Sequence, residues 1–497
     1  VRAAAPENYI TSYHRLIQSI GPQDAEQNVY RGLARGLDHA DFLTVRAPLP
    51  TLMITTTRDF FSIQGARETA REVRRAYAAF GVEDRFRMIE DDGPHASTEA
   101  NRRAMYAFFQ QHLNRPGSAE DRAVETLPAE SLKVTETGQV VTSLSGRTAF
   151  DLVRDRADSL AAELAEGREG PPTRLEHHLA EAVRSARSLS GYRGDGDRSV
   201  YGRSGWRSGS ARGARRTQAA PAGGADPIFT GRHRRAGYVV EEYVGAPESG
   251  LPVPYLLFVP DRPGPHPGLL YLHPEGKAAE AGAEGEIARL TSAGYAVLAP
   301  DLAGRGETGP GELAGDYELP GLSYSPWMAS VITGRSIAGI RAEQIDGLAG
   351  RLADQPEVRD GPVAAYGRGT TGPTLLHAAA FSERIGRIAL AGPLTSYEAL
   401  ATREQYDPSL LPTTVPGALT GYDLPDLAAS LAPSPLLIAG PVSPGGQPAG
   451  ERSVEATYEV VRRAYAQGSA SSALRIVAEP EEEAIGERVL EWLTASR

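Results

Sequence analysis

Asp59 and His95 have the types and spacing of a carboxylate that orients an imidazole, an arrangement that makes the imidazole a general base for a hydroxyl nucleophile. Each follows an apolar, strand-like run: residues 51–57 precede Arg58-Asp59, and residues 86–89 precede Asp92-Gly93-Pro94-His95. Between the runs, residues 65–80 place Ala66, Val73, Ala76, Tyr77 and Phe80 on one face of an expected helix, and a second helix is expected at about 98–113. Function in open parallel sheets gathers at the carboxyl ends of strands, so an acid and a base at consecutive strand ends can meet across one mouth. Glu90, Asp91 and Asp92 are rival acids, but they share the His95 loop and reach it less readily than a residue on the neighbouring strand. The plainer alternative makes Asp59 a helix N-terminal acid favoured by the dipole and His95 an ordinary surface-loop histidine.

An internal echo favours the first reading. Residues 73–78, Val-Arg-Arg-Ala-Tyr-Ala, recur letter for letter at 461–466, and the segment 432–495 retraces 47–113 as strand, helix, strand and helix. Counting from the shared hexapeptide, His95 falls opposite Glu483, and the Asp59 loop falls opposite residues 443–447. The second copy has no Asp after Asp426 and no His after His377, so it keeps the scaffold without the chemistry.

The chain has 497 residues, 41% of them hydrophobic, enough for two or three domains at about 150 residues each. A net charge of −11 argues against nucleic acid or an anionic membrane as the main partner. No run of 18 apolar residues is present, and without cysteine there is no disulfide, thiolate nucleophile or cysteine metal site. The histidines form no ligand cluster; His177 and His178 are adjacent, do not share a helix face, and read as solvated. No cofactor or metal is expected.

Four segments are expected. Residues 1–116 read as the C-terminal part of a catalytic domain, because the chain opens within a helical pattern. Residues 117–190 read as connecting strands and helices, with two short strands over 132–142 and helices at 147–166 and 172–189. Residues 191–231 are rich in Gly, Arg and Ser and read as a flexible linker, the alternative being a nucleic-acid-binding tail carried by Tyr192, Tyr201 and Trp206. Residues 232–497 read as a complete second domain of alternating strands and helices, hence a mostly parallel sheet. In it Leu272-His273-Pro274-Glu275-Gly276, the turn Asp301-x-x-Gly304-x-Gly306 and Gly367-Arg368-Gly369-Thr370-Thr371-Gly372 follow successive strands. The last string matches a dinucleotide fingerprint, but it is not on the first strand of its domain and no acid ends the next one. Set in the order of α/β-hydrolases it is a nucleophile elbow with Gly369 in the serine's place. Thr370 or Thr371 is a weak substitute nucleophile, because no base is evident nearby.

Tyr9-Ile-Thr-Ser12, residues 21–27, Asp59-Phe60-Phe61, Gly93-Pro94-His95, residues 137–144, residues 304–308 and residues 321–325 together resemble bacterial acetylxylan-esterase-like α/β-hydrolases. The resemblance covers most of the chain outside 191–231. It implies an α/β-hydrolase fold, with a truncated first domain followed by a complete, degenerate second domain. It also implies a serine esterase acting on carboxylic esters, such as acetyl esters of carbohydrate, with Asp59 as triad acid and His95 as triad base. No G-x-S-x-G precedes Asp59, so the nucleophile half is expected upstream of residue 1. The alternative is a noncatalytic hydrolase-fold binding protein. The resemblance implies a small-molecule or polysaccharide ester as partner and a secreted or periplasmic location; the residues themselves leave the compartment open.

Overall fold

The structure is a computed structural model that describes residues 1–23, 27–194, 226–245, 250–309, 318–319, 322–478 and 482–495. They fall into two compact units: Val1–Thr148 with Tyr324–Gly334, and Ala149–Ala314 with Glu318–Ser323 and Arg335–Arg497.

The first unit contains α1 (Tyr13–Ser19), α2 (His39–Thr44), β1 (Thr51–Thr56), α3 (Ile63–Ala79), β2 (Phe86–Asp91), α4 (Glu99–His112) and α5 (Val140–Leu144). Strands β1 and β2 pair in parallel, from Thr51 opposite Phe86 to Thr56 opposite Asp91, and Ala4 and Glu7 bridge to the other edge of β1. β1 is buried along its whole length because helices cover both faces. Met53 packs with Ala66, Ala70, Val73 and Tyr77 of α3, whereas Leu52 and Ile54 pack with Phe108 of α4. Ser62 and Thr98 cap α3 and α4 by accepting the Gly65 and Asn101 N–H groups, each such cap stabilising its helix by about 1 kcal/mol.

The second unit runs α6 (Ala149–Arg168), α7 (Pro172–Ser190), β3 (Ile228–Arg235), β4 (Tyr238–Gly245), β5 (Val253–Pro260), β6 (Gly268–Leu272), α8 (Glu286–Ser292), β7 (Ala296–Pro300), β8 (Glu318–Leu319) and β9 (Leu322–Ser323). After α9 (Tyr324–Thr333), which belongs to the first unit, come α10 (Ile337–Ala353), β10 (Val363–Arg368), α11 (Gly372–Phe381), β11 (Ile385–Ala391), α12 (Tyr397–Ala401), α13 (Leu424–Ser430), β12 (Leu436–Ala439), α14 (Glu451–Thr457), α15 (Glu459–Gln467), β13 (Leu474–Val477) and α16 (Glu482–Thr494). Nine strands form one sheet in the order β13-β12-β11-β10-β6-β7-β5-β4-β3. The pairs from β13 to β7 are parallel, and those joining β7, β5, β4 and β3 are antiparallel. Two buried clusters line its two faces: Leu270, Ala365 and Ile388 point into one, Leu269, Tyr366 and Ala389 into the other, as the period of two requires.

Four expectations change. The chain does not open within a helix: Ala4 and Glu7 lie extended beside β1, and α1 begins only at Tyr13. The Val/Thr-rich stretch over 132–142 forms no strand pair: a turn with Gly138 at φ +73° leads into α5. The helices read as a connection, α6 and α7, belong to the second unit, because Leu175, Leu179, Ala182 and Ala186 are buried in its core. The expected linker 191–231 is also shorter. Tyr192 is buried and donates to Asp346 at 2.7 Å, and β3 begins at Ile228, four residues before the expected start at 232. Residues 195–225, with Tyr201 and Trp206, lie outside the described residues.

The echo extends further than the hexapeptide. Tyr77 donates to the Leu49 carbonyl at 2.8 Å, and Tyr465 donates to the Ser434 carbonyl at 2.6 Å. Upstream, Thr11-Ser12-Tyr13 recurs as Thr395-Ser396-Tyr397. Asp38 caps α2 while accepting the Tyr13 N–H at 2.9 Å, and Asp423 caps α13 while accepting the Tyr397 N–H at 2.6 Å. Likewise Ala4 N–H donates to Pro50 O as Ile388 N–H donates to Pro435 O. The first unit therefore repeats the second from β11 onward.

Candidate active site

β1 ends at Thr56 and β2 at Asp91, but the backbone zipper runs on: Thr57 N–H donates to Asp91 O at 2.9 Å and Arg58 N–H to Gly93 O at 3.0 Å. These two bonds hold the Asp59 and His95 loops side by side. Asp59 turns back on its own chain by accepting the Phe61 N–H at 2.9 Å on Oδ1, and Thr56 Oγ1 donates to Oδ2 at 3.2 Å. His95 Nδ1 lies 3.0 Å from each Asp59 oxygen. The carboxylate is nearly sealed, with 3% of its side chain exposed, whereas the imidazole is 42% exposed. Asn8 reinforces the loop by donating from its side-chain amide to Ala96 O at 2.8 Å, and Asn101 reaches from α4 to Thr55 O.

A carboxylate at Nδ1 places the proton there and leaves Nε2 as the basic lone pair. Among the described residues Nε2 has no hydrogen-bond partner. Phe60 stacks on the imidazole with ring centres 4.3 Å apart, and Phe61 leans against it at 5.8 Å.

Two of the three rival acids are engaged elsewhere. Asp92 accepts from Thr57 Oγ1 at 2.7 Å and Arg58 Nε at 3.0 Å, and these partners hold it below the usual carboxylate range. Glu90 pairs with Arg67.

The corresponding places in the second unit carry other groups. Gly369 follows β10 with φ +49°, a left-handed conformation at the strand-to-helix turn where a nucleophile elbow stands. The 443–447 loop closes as a tight turn, with Ser443 N–H on Gln447 O and Gly446 N–H on Ser443 O. Glu483 falls in α16, in a part whose side chains are outside the described residues. Thr371 is buried and donates to Leu272 O and Arg368 O, and no imidazole bonds Thr370 or Thr371 among the described residues.

His178, expected to be solvated, is not. Its Nε2 lies 3.0 Å from Asp426 Oδ1, and Arg168 grips the same carboxylate with two bonds of 2.8 Å. Burial pushes Asp426 up, but His178 and Arg168 outweigh it and hold the carboxyl at about 2. This cluster docks α6 and α7 on α13.

Two features of the site had no clear signal in the sequence: Phe60 as a lid on the imidazole, and Asn8 and Asn101 as struts. Asn8 has φ +53°, where Asn is enriched, which marks a special turn only once the backbone is seen.

The mostly parallel nine-stranded sheet and its elbow define an α/β-hydrolase fold. No protein-family model and no curated protein matches the chain. Among solved structures, a Bacteroides fragilis protein described as an acetyl xylan esterase is similar at 16% identity, over 68% of this chain and 84% of its own, with a TM-score of 0.49. Methylesterase BT1017 is similar at 14% identity, over 96% of this chain and 87% of its own, with a TM-score of 0.40. Acetyl xylan esterase 1 from Thermoanaerobacterium sp. is similar at 16% identity, over 55% of this chain and 88% of its own, with a TM-score of 0.37. These three are ester hydrolases by description.

Proposed function

We propose that the first unit carries the acid and base of a serine esterase acting on carboxylic esters, with acetyl or related esters of carbohydrate as the substrate class. The observation that carries this reading is the pairing of His95 Nδ1 with the buried Asp59 carboxylate at 3.0 Å while Nε2 stays open to the surface. The substrate class rests on the sequence resemblance.

The repeat supports a place for the nucleophile. Ala4 takes the position of Ile388, and the elbow glycine Gly369 lies before Ile388 in the second unit, so the equivalent elbow of the first unit falls upstream of Val1. A serine there would attack the ester carbonyl carbon while His95 Nε2 takes its hydroxyl proton. The tetrahedral adduct then expels the alcohol, which receives that proton from Nε2, and water deacylates the serine by the same route. Asp59 fixes the imidazole tautomer and stabilises the imidazolium.

The test is ester hydrolysis by the 497-residue chain and by the natural full-length polypeptide. The chain should be no faster than a histidine-containing control, and the full-length protein should be active and labelled by a fluorophosphonate at one serine. Titratable activity in the 497-residue chain, or a full-length protein without such a serine, would overturn the reading.

A further inference from the structure

In the second unit the turn after β7, Asp301-Leu302-Ala303-Gly304-Arg305-Gly306, is tied to α10 at Ala303. Arg341 Nε donates to the Ala303 carbonyl at 2.9 Å, and the Ala303 N–H donates to Gln344 Oε1 at 2.9 Å. Arg341 and Gln344 stand three residues apart on one face of α10, so the ends of both side chains meet at the turn. Both keep donors that these bonds leave over. Arg341 is 5% exposed and makes no other hydrogen bond among the described residues, and the buried Gln344 Nε2 has no acceptor there.

Arg305, two residues along the turn, brings a second guanidinium, which donates to Thr370 Oγ1 at 3.3 Å. Among the described residues no carboxylate pairs with either arginine. The acids of the turn and of α10 are bonded to other groups. Asp301 accepts the Lys277 N–H at 2.7 Å, the Lys277 ammonium at 2.6 Å and the Glu307 N–H at 3.0 Å, and the Glu307 carboxylate also pairs with Lys277. Glu343 pairs with Arg335 at 2.7 Å, and Asp346 accepts from Tyr192 at 2.7 Å and Arg384 at 3.1 Å. Burial, then the Arg305 charge, lowers the Arg341 pKa to about 9, which leaves it cationic at pH 7.

Room for an acceptor lies beside these donors. Gly304 has φ +74°, and a Cβ built on it would meet one described atom within 4 Å, an Arg341 terminal nitrogen at 3.5 Å. Taking a guanidinium out of water is strongly unfavourable unless an anion accompanies it, and arginine has no escape by losing its proton. Two cations and one neutral amide donor, with no acidic member, suit a small monovalent anion and repel a metal ion.

We propose that the second unit holds a chloride ion between the Arg341 guanidinium and Gln344 Nε2, over Gly304, with Arg305 supplying the second positive charge. The ion fastens the turn after β7 to α10. The site is independent of the ester chemistry proposed for the first unit.

Thermal unfolding of the full chain tests this, with sodium gluconate replaced stepwise by sodium chloride or bromide at one ionic strength. General screening of the two arginines is then constant. A halide that binds the folded chain should raise the thermal midpoint progressively with its concentration. Gln344→Glu keeps an oxygen for the Ala303 N–H and puts a fixed carboxylate among the cations, so it should weaken halide binding at least about tenfold, the scale of one lost charge-assisted hydrogen bond. Should that variant fail to fold, bromide in crystals of the full chain still decides, by an anomalous peak within hydrogen-bond distance of Arg341 and Gln344 Nε2. No halide-specific shift, an undiminished shift in a folded Gln344→Glu, or bromide found elsewhere as an adventitious ion only would each overturn the proposal.

Discussion

The two copies of the strand-helix-strand-helix unit share their skeleton and differ in what stands at the strand ends. Both keep the tyrosine hydroxyl on a carbonyl just before the strand, and both keep the aspartate pair that caps a short helix. The first copy places Asp59 and His95 on the two loops; the second has a tight turn in place of the acid and an acidic run in place of the base. Scaffold and chemistry thus vary separately. A loop can lose its reacting group without loss of fold, because the bonds that hold the loop run through the backbone and the caps.

The sharpest way to break this contrast is to remove the base. His95→Ala in the full-length protein should lower ester turnover by about a million-fold, the scale of losing a triad member that acts as a unit. Retained turnover would show that the proposed base is not one. Asp59→Asn should lower turnover by about ten-thousand-fold with the thermal midpoint unchanged, because Asn favours the wrong imidazole tautomer. Asp92→Asn should leave turnover close to wild type, since its carboxylate serves Thr57 and Arg58. A reversed order would transfer the acid role to Asp92.

The capping aspartates give a comparison in stability. Asp41 only closes a capping box, whereas its counterpart Asp426 also neutralises Arg168 and bonds the His178 imidazole in the interior. Asp426→Ala should cost about 3–5 kcal/mol in urea unfolding, because it strands a buried guanidinium. Asp41→Ala should cost about 1 kcal/mol. The folded Asp426 pKa of about 2 lies below the ordinary carboxylate value, so its stabilisation is present above about pH 4 and is lost as the pH falls through about 2. A stability difference between wild type and Asp426→Asn that grows on acidification would contradict the assignment.

The smallest expected effect is none. Gly369→Ser places a hydroxyl at the second elbow but supplies no base, so a fluorophosphonate should leave the introduced serine unlabelled. Stoichiometric labelling there would show a base that the described residues do not present.

Much of the first site was legible in the sequence because it is built from long periodic elements. β1, α3, β2 and α4 follow alternating or 3.6-residue patterns, and strand ends announce where side chains gather. The longer repeat was hidden because Thr-Ser-Tyr and the paired aspartates sit in short helices, where only the capping residues are shared. The stretch 132–142 misled because β-branched residues favour strands only when a partner strand is at hand. The stripes of α6 and α7 showed that each helix is buried on one side, but a stripe does not say against which core. His178 reads as solvated in the sequence because its partner, Asp426, lies some 250 residues away.

Phe60 lies nearly flat on the imidazole of His95, at an interplanar angle of 28°, and is itself half exposed. A planar group pinned at one nitrogen and roofed on one side no longer has equivalent faces. If His95 is the base proposed above, mirror-image esters arriving at Nε2 would meet the phenyl ring on one side of the imidazole. In the proposed esterase a stereochemical preference would thereby come from the wall beside the base, in a residue that takes no part in the proton's journey.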